Sequence, residues 1–579
     1  MKLNLLRTIG AGLSVAVILT SCDGLGKMLK KQKDFKYTVT PNPIEMHGDS
    51  VQFSVSGKFS PKLFQKKVTL TLTPVIKYAN GGEKKLKPVI LVGEKAIGSG
   101  QKIAFSTGGS FSYTSEKFAF EPAMRNATVQ LTGEGTVKSK TKAFEPVNLA
   151  DGTMATSLLV RNDEKPLSAT DNFQKSYPAN QSTHVYYAMN QSNVRPGEMT
   201  SQEMKDIKSF IAANLSSTWY EFQGINVSAY ASPDGETDKN ENLAIDRAKS
   251  ASAAMMSEFQ KNKVKTVTFG KTKDQFKVGT TREDWEGFKS LMEKSAMADK
   301  DLILRVLTMY TDADQRRKEI KNLSKTYEEL ANKILPQLRR AEITMNVIKK
   351  SRTDEMLSRL ALSNPDSLSV EELLYAATLT TDLNTKTQIY RSASNSFGSD
   401  WRTSNNLGCM LLAQNKVSEA AEAFKRAEKA APSQAAVANN LGIIEARNGN
   451  SAVAMDYYRK AGGAQETKYN MAIIEVRQGK YTEAVSDFGS YNGHNKALAQ
   501  LMSGNAGQAK ETLDSSNEKD MAHSLYLKAV AAARMGNTAD AMTNLKAAIE
   551  KDNSFKAYAK EDVEFLKMRA DNGFTSLVK

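Results

Sequence analysis

The stretch of residues 227–248, which reads VSAYASPDGETDKNENLAIDRA, brings together side chains that could bind a charged ligand. An alternating run ends in a turn that contains Ser232 and Asp234, and the helical pattern that follows carries Asn240 and Arg247. An arginine can hold a carboxylate through two parallel hydrogen bonds, and an acid can accept from a cation. In the alternative interpretation, Asp234 only makes the turn and Arg247 pairs with a nearby acid.

Strand and helix patterns on both sides would position this stretch. Strand-like alternation occurs in residues 183–190, 222–232 and 265–271, and amphipathic helical periodicity separates these runs. The predicted order is therefore β-α-β-α-β. A charged helical stretch at about residues 281–336 then precedes a last strand pattern around Ile343.

This order, with a last strand introduced by Arg339, resembles the OmpA-like peptidoglycan-associated domain over about residues 180–350. In that family one helix carries Asn, then Leu three residues later, then Arg-Ala, and Asn240, Leu243 and Arg247 match this motif. Members of this type bind the diaminopimelate of uncrosslinked peptidoglycan, which presents an ammonium and a carboxylate together. The resemblance implies that Asn240 and Arg247 belong to a peptidoglycan-binding site.

One position departs from the family pattern. The family acid follows the second strand, and here Ser232 stands where that acid is expected. Asp234 lies two residues further on and is the candidate replacement. The candidate peptidoglycan-binding residues are therefore Ser232, Asp234, Asn240 and Arg247. We predict that the affinity of this site for peptidoglycan is lost or weakened. The open alternative is that Asp234 replaces the missing acid and restores binding.

The N-terminus resembles a bacterial lipoprotein signal peptide over residues 1–21. A basic start is followed by an apolar run that is too short to span a bilayer stably. The run ends in Leu-Thr-Ser before Cys22, as in the lipobox motif. This implies a covalent diacylglycerol and an N-acyl chain on Cys22, with no other cofactor; an ordinary signal peptide with a chance cysteine is the alternative. Residues 22–34 are predicted to be a polar tether.

The resemblance also implies a location. In lipoproteins of Bacteroides-type bacteria, acidic residues soon after the lipidated cysteine favour export to the cell surface. Here only Asp23 is acidic before a lysine-rich run. We therefore expect lipid anchoring in the outer membrane, facing the periplasm.

Residues 35–165 carry the alternation of half-buried strands. Examples are SVQFSVSG, KKVTLTLTPV and ATVQLTGEGTV, which are separated by turn signals such as Asn-Gly-Gly. An all-β, sandwich-like domain is predicted here, and nothing catalytic is found in it.

Residues 353–579 are predicted to be helical with an internal repeat. Leu407, Gly408 and Phe424 recur 34 residues later as Leu441, Gly442 and Tyr458, and weaker copies follow. The period and the conserved phase of these residue types resemble the tetratricopeptide repeat (TPR). Such repeats stack into an α-solenoid, in which neighbouring helix pairs bury each other's apolar faces. We expect the inner groove of this array to bind a segment of a protein partner.

Enzymatic function is not predicted. The four histidines are far apart in sequence and show no metal-ligand spacing, so neither catalytic residues nor a metal are expected. No Gly-x-Ser-x-Gly nucleophile motif occurs, and Gly270-Lys271-Thr272 lacks the glycine that a P-loop requires. The net charge of +15 is spread along the chain without a basic, aromatic-rich stripe, so no nucleic-acid partner is expected. Cys409 is predicted to pack as a small buried residue.

The whole arrangement resembles envelope lipoproteins that combine a β domain, a divergent OmpA-like domain with a helical insertion, and TPR repeats. The predicted chain is therefore multidomain. Its predicted function is a non-catalytic scaffold, or more specifically an accessory subunit of an outer-membrane complex, that binds other envelope proteins through the repeats. The alternative is a peptidoglycan-binding tether between the outer membrane and the cell wall.

Overall fold

The computed structural model describes residues 24–261 and 268–579, which form two compact units. The first unit contains residues 24–169 and 397–579, and the second contains residues 170–396. The predicted signal peptide and Cys22 lie outside the described residues. Within the described ranges, no helix is long and apolar enough to cross a membrane.

A short helix, α1 (Gly24–Lys30), precedes the strands of the first unit and packs on their core. Leu25 and Met28 lie on one face of α1 and are fully buried, and the Gln65 N–H donates to the Met28 sulfur at 3.3 Å. The part of the predicted polar tether that the structure describes, from Gly24 onward, is therefore docked on the core. Three apolar residues of a lysine-rich run, Leu25, Met28 and Leu29, pack on this core.

The β-rich N-terminal region that the sequence predicts is confirmed. Its strands are β1 (Lys36–Thr40), β2 (Ile44–His47), β3 (Ser50–Val51), β4 (Ser54–Phe59), β5 (Thr69–Lys77), β6 (Glu83–Lys85), β7 (Val89–Gly93), β8 (Gln101–Ile103), β9 (Gly109–Thr114), β10 (Phe118–Ala119), β11 (Thr128–Val137), β12 (Lys140–Asp151) and β13 (Thr153–Met154). They form three sheets in the orders β1-β4-β9, β10-β3-β2-β13 and β12-β11-β5-β7-β8, with β6 on β5. The alternating residues Val51, Phe53 and Val55 are all buried, as a half-buried strand requires.

The β region ends in a 3-10 helix at Thr156–Leu159. Residues 160–169 follow without regular secondary structure and lie along the repeat helices of the same unit. The predicted β domain extended to residue 165. The last residues of that range contact the repeat helices, and they therefore belong structurally to the repeats. The polar side chains that bind this segment belong to helices more than 200 residues later in the chain. The sequence of the segment itself therefore does not indicate the contact.

The second unit contains a mixed sheet, flanking helices and a helical insertion. Its elements are β14 (Ser176–Pro178), β15 (Gln181–Tyr186), α2 (Gln202–Asn214), β16 (Tyr220–Tyr230), α3 (Thr237–Gln260), β17 (Phe276–Thr281), α4 (Trp285–Lys294), α5 (Lys300–Met309), α6 (Ala313–Asn322), α7 (Ser324–Lys333), α8 (Leu335–Leu338), β18 (Arg340–Lys350), α9 (Asp354–Ser363), α10 (Val370–Thr378) and α11 (Leu383–Ser396). The sheet order is β15-β18-β16-β17, with β14 also on β18. Only β16 and β17 are parallel in this order.

The third strand lies later in the chain than the sequence predicts. We predicted it at residues 265–271, part of which is outside the described residues, and the structure places β17 at Phe276–Thr281. Residues 268–271 instead form a turn, closed by a hydrogen bond from the Lys271 N–H to the Thr268 carbonyl, with Gly270 at a φ of +74°. β17 is an edge strand with a single buried residue, so its alternation pattern is weak.

The helical repeats of the first unit pack as five consecutive helix pairs, and two short helices follow them. Their helices are α12 (Trp401–Ala413), α13 (Val417–Ala430), α14 (Ala435–Arg447), α15 (Ser451–Ala461), α16 (Gln465–Arg477), α17 (Tyr481–Phe488), α18 (His494–Met502), α19 (Ala506–Asp514), α20 (Ala522–Arg534), α21 (Thr538–Lys551), α22 (Ser554–Glu561) and α23 (Asn572–Leu577). A Cβ on Gly408 would lie 2.4 Å from the Phe424 ring, and one on Gly442 would lie 2.5 Å from the Tyr458 ring. The repeating glycine and aromatic residues are therefore contact partners within each helix pair.

Candidate functional site

Arg247 is completely buried in α3 and binds the main chain instead of a carboxylate. Its Nε donates to the Gln191 carbonyl at 3.1 Å, and its Nη1 donates to the Tyr230 carbonyl at 2.8 Å. The guanidinium also lies over the Tyr187 ring, 5.2 Å from its centroid. Burial lowers the pKa of Arg247 to about 10. Arg247 therefore links α3 to the end of β16 and to the loop that contains Gln191.

The structure brings the other three predicted residues together around Arg339. The Arg339 Nε donates to the Ser232 hydroxyl at 3.2 Å, and its Nη2 lies 3.4 Å from Asp234 Oδ2. Asn240 donates to the Ser232 carbonyl at 2.9 Å, which closes the turn onto α3. The partner of the displaced acid is therefore an arginine of this chain. Sequence reasoning named Arg339 only as the start of the last strand.

The helical insertion packs over Asp234. The space beside this carboxylate has a volume of about 20 Å³ and is lined by residues of the turn and of the insertion, among them Pro233, Trp285 and Tyr327. A cavity of this size holds about one water molecule. Asp234 Oδ1 is buried there without a hydrogen-bond partner. The space between Asp234 and the insertion is therefore too small for a diaminopimelate side chain.

A second site was missed in the sequence: a row of asparagines on the repeat helices holds residues 161–169. In four pairs, the asparagine Oδ1 accepts from a backbone N–H at 2.7–2.8 Å and its Nδ2 donates to the carbonyl of the same residue at 2.8–3.0 Å. The pairs are Asn406 with Ala169, Asn440 with Leu167, Asn470 with Lys165 and Asn495 with Arg161. These asparagines lie on α12, α14, α16 and α18, the first helices of successive pairs. We call residues 159–169 the bound segment and the surface of these four helices the groove.

Two further asparagines complete the row and connect its members. Asn405 donates to the Leu167 carbonyl at 2.9 Å, and Asn439 donates to the Lys165 carbonyl at 3.0 Å. The Oδ1 of Asn405 accepts from Asn440, and that of Asn439 accepts from Asn470. We call the six residues the asparagine ladder. All are buried, so their amides are satisfied by the bound segment and by one another.

A signal for this ladder exists in the sequence. Ser404-Asn405-Asn406-Leu407-Gly408 and Ala438-Asn439-Asn440-Leu441-Gly442 place an Asn pair directly before the Leu-Gly of each repeat. A buried helix position that repeats a polar residue in phase needs a polar partner. The sequence pattern could therefore have indicated a ligand in the groove, although not which one.

Side chains add selectivity at the Asp163-Glu164 pair. The Glu164 side chain is completely buried, and its Oε2 accepts from Arg447 Nε at 3.1 Å and Nη2 at 3.0 Å. Asp163 accepts from the Tyr469 hydroxyl at 2.6 Å and from Asn495 Nδ2 at 2.7 Å. Pro166, which has no N–H, occupies an exposed position between two ladder contacts.

The start of the bound segment contacts a pair of histidines. His494 is buried, and its Nε2 lies 2.8 Å from the Leu159 carbonyl. Burial and the neighbouring His523 lower the pKa of His494 to about 3, so the ring is neutral and Nε2–H donates to this carbonyl. His523 contacts Arg161 and Glu518.

The described residues offer little for metal or nucleophile chemistry. No group of three or more His, Cys, Asp or Glu side chains among them could hold a metal ion. Cys409 is buried beneath the bound segment, with its Sγ 3.6 Å from the Leu167 carbonyl. Burial raises the pKa of this thiol to about 12, which keeps it protonated and unreactive.

Comparison with known proteins supports the repeat assignment. Residues 405–466 match the family model described as tetratricopeptide repeat. This part of the chain therefore contains TPR repeats, as the period predicted. No curated protein matches the chain in sequence.

Solved structures with similar helical arrays include three TPR proteins or pilus factors. PilW, a type IV pilus biogenesis factor, is 15% identical, with 40% of this chain and 100% of PilW covered and a TM-score of 0.27. A tetratricopeptide repeat protein from Parabacteroides merdae is 14% identical, with 42% and 99% covered and a TM-score of 0.29. YrrB, a TPR protein with an unusual peptide-binding site, is 17% identical, with 36% and 100% covered and a TM-score of 0.21. These TM-scores are too low to support an inference about this chain.

Proposed function

We propose that this protein is a non-catalytic lipoprotein of the cell envelope that acts as a scaffold, or accessory subunit, of an outer-membrane protein complex. Lipid attachment at Cys22 would anchor it in the outer membrane, facing the periplasm. The observation that carries the scaffold function is the asparagine ladder, because it is built to bind the main chain of an extended polypeptide. TPR repeats in general bind other proteins, and such an array offers extended surfaces for them.

The experiment is site-specific photo-crosslinking in the intact cell envelope. A photoreactive residue at Val453 or Met535, both on the repeats and each 46% exposed, should capture the same discrete partner protein. The control position is Val278, which is 51% exposed in the second unit and should not give this product. A product formed from Val278 alone, or none from the repeats, would contradict the proposal.

The alternative function, a peptidoglycan tether, receives no support from the geometry at Arg247 and Asp234. The guanidinium is used by backbone carbonyls, and the acid is paired with Arg339 beneath the insertion. A zwitterionic ligand needs a free acid and a free guanidinium at matched positions. We therefore favour the scaffold.

A further inference from the structure

We infer that the bound segment is an intramolecular competitor: it occupies a groove whose external ligand is an extended segment of a partner protein with an acidic residue at the position of Glu164. This inference rests on the proposed function, since it specifies how a partner would bind the repeats. It also changes the expectation from the sequence, because the groove is already filled by the chain itself.

The contacts of the bound segment are ones that another polypeptide could make. The ladder binds the N–H and carbonyl groups of Lys165, Leu167 and Ala169, which every non-proline residue has. Between residues 161 and 169, Glu164 is the one residue that is buried. Recognition therefore requires an extended main chain and a buried carboxylate opposite Arg447. A hydrogen-bond acceptor at the position of Asp163, which faces Tyr469 and Asn495, adds to it.

The bound segment is held by many weak interactions and buries little apolar surface between residues 161 and 169. Each hydrogen bond is a small net gain, because the same groups bind water when the segment is released. Connection to the chain gives the segment an effective concentration on the order of millimolar in its own groove. A free peptide with the same contacts would therefore be excluded, whereas a partner with better contacts would displace the segment.

The hydrogen bonding of Glu164 in the groove is incomplete, so a partner segment could bind better. Arg447 binds Oε2 through two nitrogens, but Oε1 is buried without a hydrogen-bond partner. An unsatisfied oxygen of a buried carboxylate weakens binding. A partner segment that satisfies both oxygens gains an advantage that this chain's own segment lacks.

The test uses the chain from residue 23 onward and a fluorescent synthetic peptide of residues 158–170. Glu164→Lys places a cation opposite Arg447 and should release the bound segment. We expect this variant to bind the peptide at least ten times more tightly than the wild-type protein does. The matched control Glu134→Lys makes the same change at an exposed position on β11 and should bind no better than wild type.

Exchanging the charges of Glu164 and Arg447 tests whether the peptide binds with residue 164 opposite residue 447. Arg447→Glu should not bind the native peptide, and it should bind a peptide that carries Glu164→Lys. Circular dichroism establishes that each variant is folded. A folded Glu164→Lys protein that fails to bind the peptide would overturn the inference, because the segment would then be an integral part of the groove.

Hydrogen exchange on the wild-type protein tests the same point without substitution. The amides of Lys165, Leu167 and Ala169 should exchange at least ten times faster than those in the centres of α14 and α16, because release of the segment does not require the helices to unfold. Equal rates would overturn the inference. Such a failure leaves the photo-crosslinking result unaffected, so it is distinguishable from a failure of the proposed function.

Discussion

Glu164 and Arg447, which are 283 residues apart in the chain, form an ion pair whose carboxylate is fully shielded from solvent. Removing one partner of a buried pair leaves an uncompensated charge, which costs about 3–5 kcal/mol. We expect Arg447→Ala to lower the free energy of unfolding of the first unit by at most roughly 3 kcal/mol, because release of the bound segment returns Glu164 to water and limits the loss. Urea unfolding measures this change.

The double variant Arg447→Ala with Glu164→Gln serves as the control for this prediction. Neutralising the orphaned carboxylate should restore part of the loss, so the two substitutions should be clearly non-additive. Simple additivity of the two single effects would show that the ion pair does not stabilise the segment.

Gly408 is required for close packing of the first repeat. Alanine is ordinarily favoured over glycine inside a helix by about 0.5–1 kcal/mol. At Gly408 the added Cβ would collide with the Phe424 ring, so we expect Gly408→Ala to destabilise by about 1–3 kcal/mol. Gly507→Ala, also in a helix but with open space around it, should be neutral or stabilising. Thermal unfolding of both variants gives the comparison, and equal shifts would refute the packing argument.

The stability of the first unit should decrease as the pH falls below about 6.5, in part through His494. In the unfolded chain this ring binds a proton near pH 6.5, whereas in the folded protein burial and His523 hold its pKa at about 3. Protonation therefore favours unfolding, and the stabilising contribution is complete above pH 6.5 and is lost toward pH 3. Of the charged groups nearby, Arg161 lowers the pKa of His494 further and Glu518 raises it.

Unfolding at pH 7 and pH 5 measures this dependence. His494→Gln should flatten it, whereas His184→Gln, at a partly exposed position in the other unit, should leave it unchanged. An unaltered pH slope in His494→Gln would exclude His494 as the cause. Glu475 has the opposite effect on the pH dependence of stability, because burial raises the pKa of its carboxyl to about 7. Single variants are therefore needed to isolate the contribution of His494.

Peptidoglycan binding should be weak and sensitive to salt. The protein carries a net positive charge, which attracts anionic wall polymer without a specific site. We expect the chain from residue 23 to dissociate from purified sacculi at high salt, with Arg247→Ala and Asp234→Ala behaving like wild type. Salt-resistant retention that both substitutions abolish would instead establish a functional site.

Lipidation at Cys22 is tested by Cys22→Ser. Three acyl chains provide stable anchoring, whereas a single chain is marginal. The variant should accumulate as a precursor and should lack lipid label. Normal processing together with normal membrane retention would disprove this attachment site.

Sequence patterns predicted the parts of the fold that depend on local periodicity. The phase of Gly408 and Phe424 indicated the repeats, and the alternation around Phe53 indicated the β-rich region. The edge strand β17 was misplaced because it has one buried residue and hence little alternation. In each case, the strength of the pattern follows from how much of the element is buried.

The two candidate sites differ in what the sequence could indicate. Arg247 was found through a motif, and Asp234 through its position near the expected acid. Their partners, two main-chain carbonyls and Arg339, are brought to them only by the fold. The asparagine ladder is visible in the sequence as a periodic pattern, whereas the bound segment that it holds is not. Residues 161–169 have no periodicity and contact helices more than 200 residues away, so only the folded chain reveals them.

The docking of α1 has a consequence for the geometry at the membrane. Leu25 is fixed in the protein core, and it follows Cys22 by three residues, which span at most about 10 Å even when extended. If Cys22 is lipidated, the β region cannot swing freely below the bilayer but must rest against the lipid headgroups. The exposed side chains of Lys27, Lys30 and Lys31 would then lie close to the depth where anionic lipids attract positive charge.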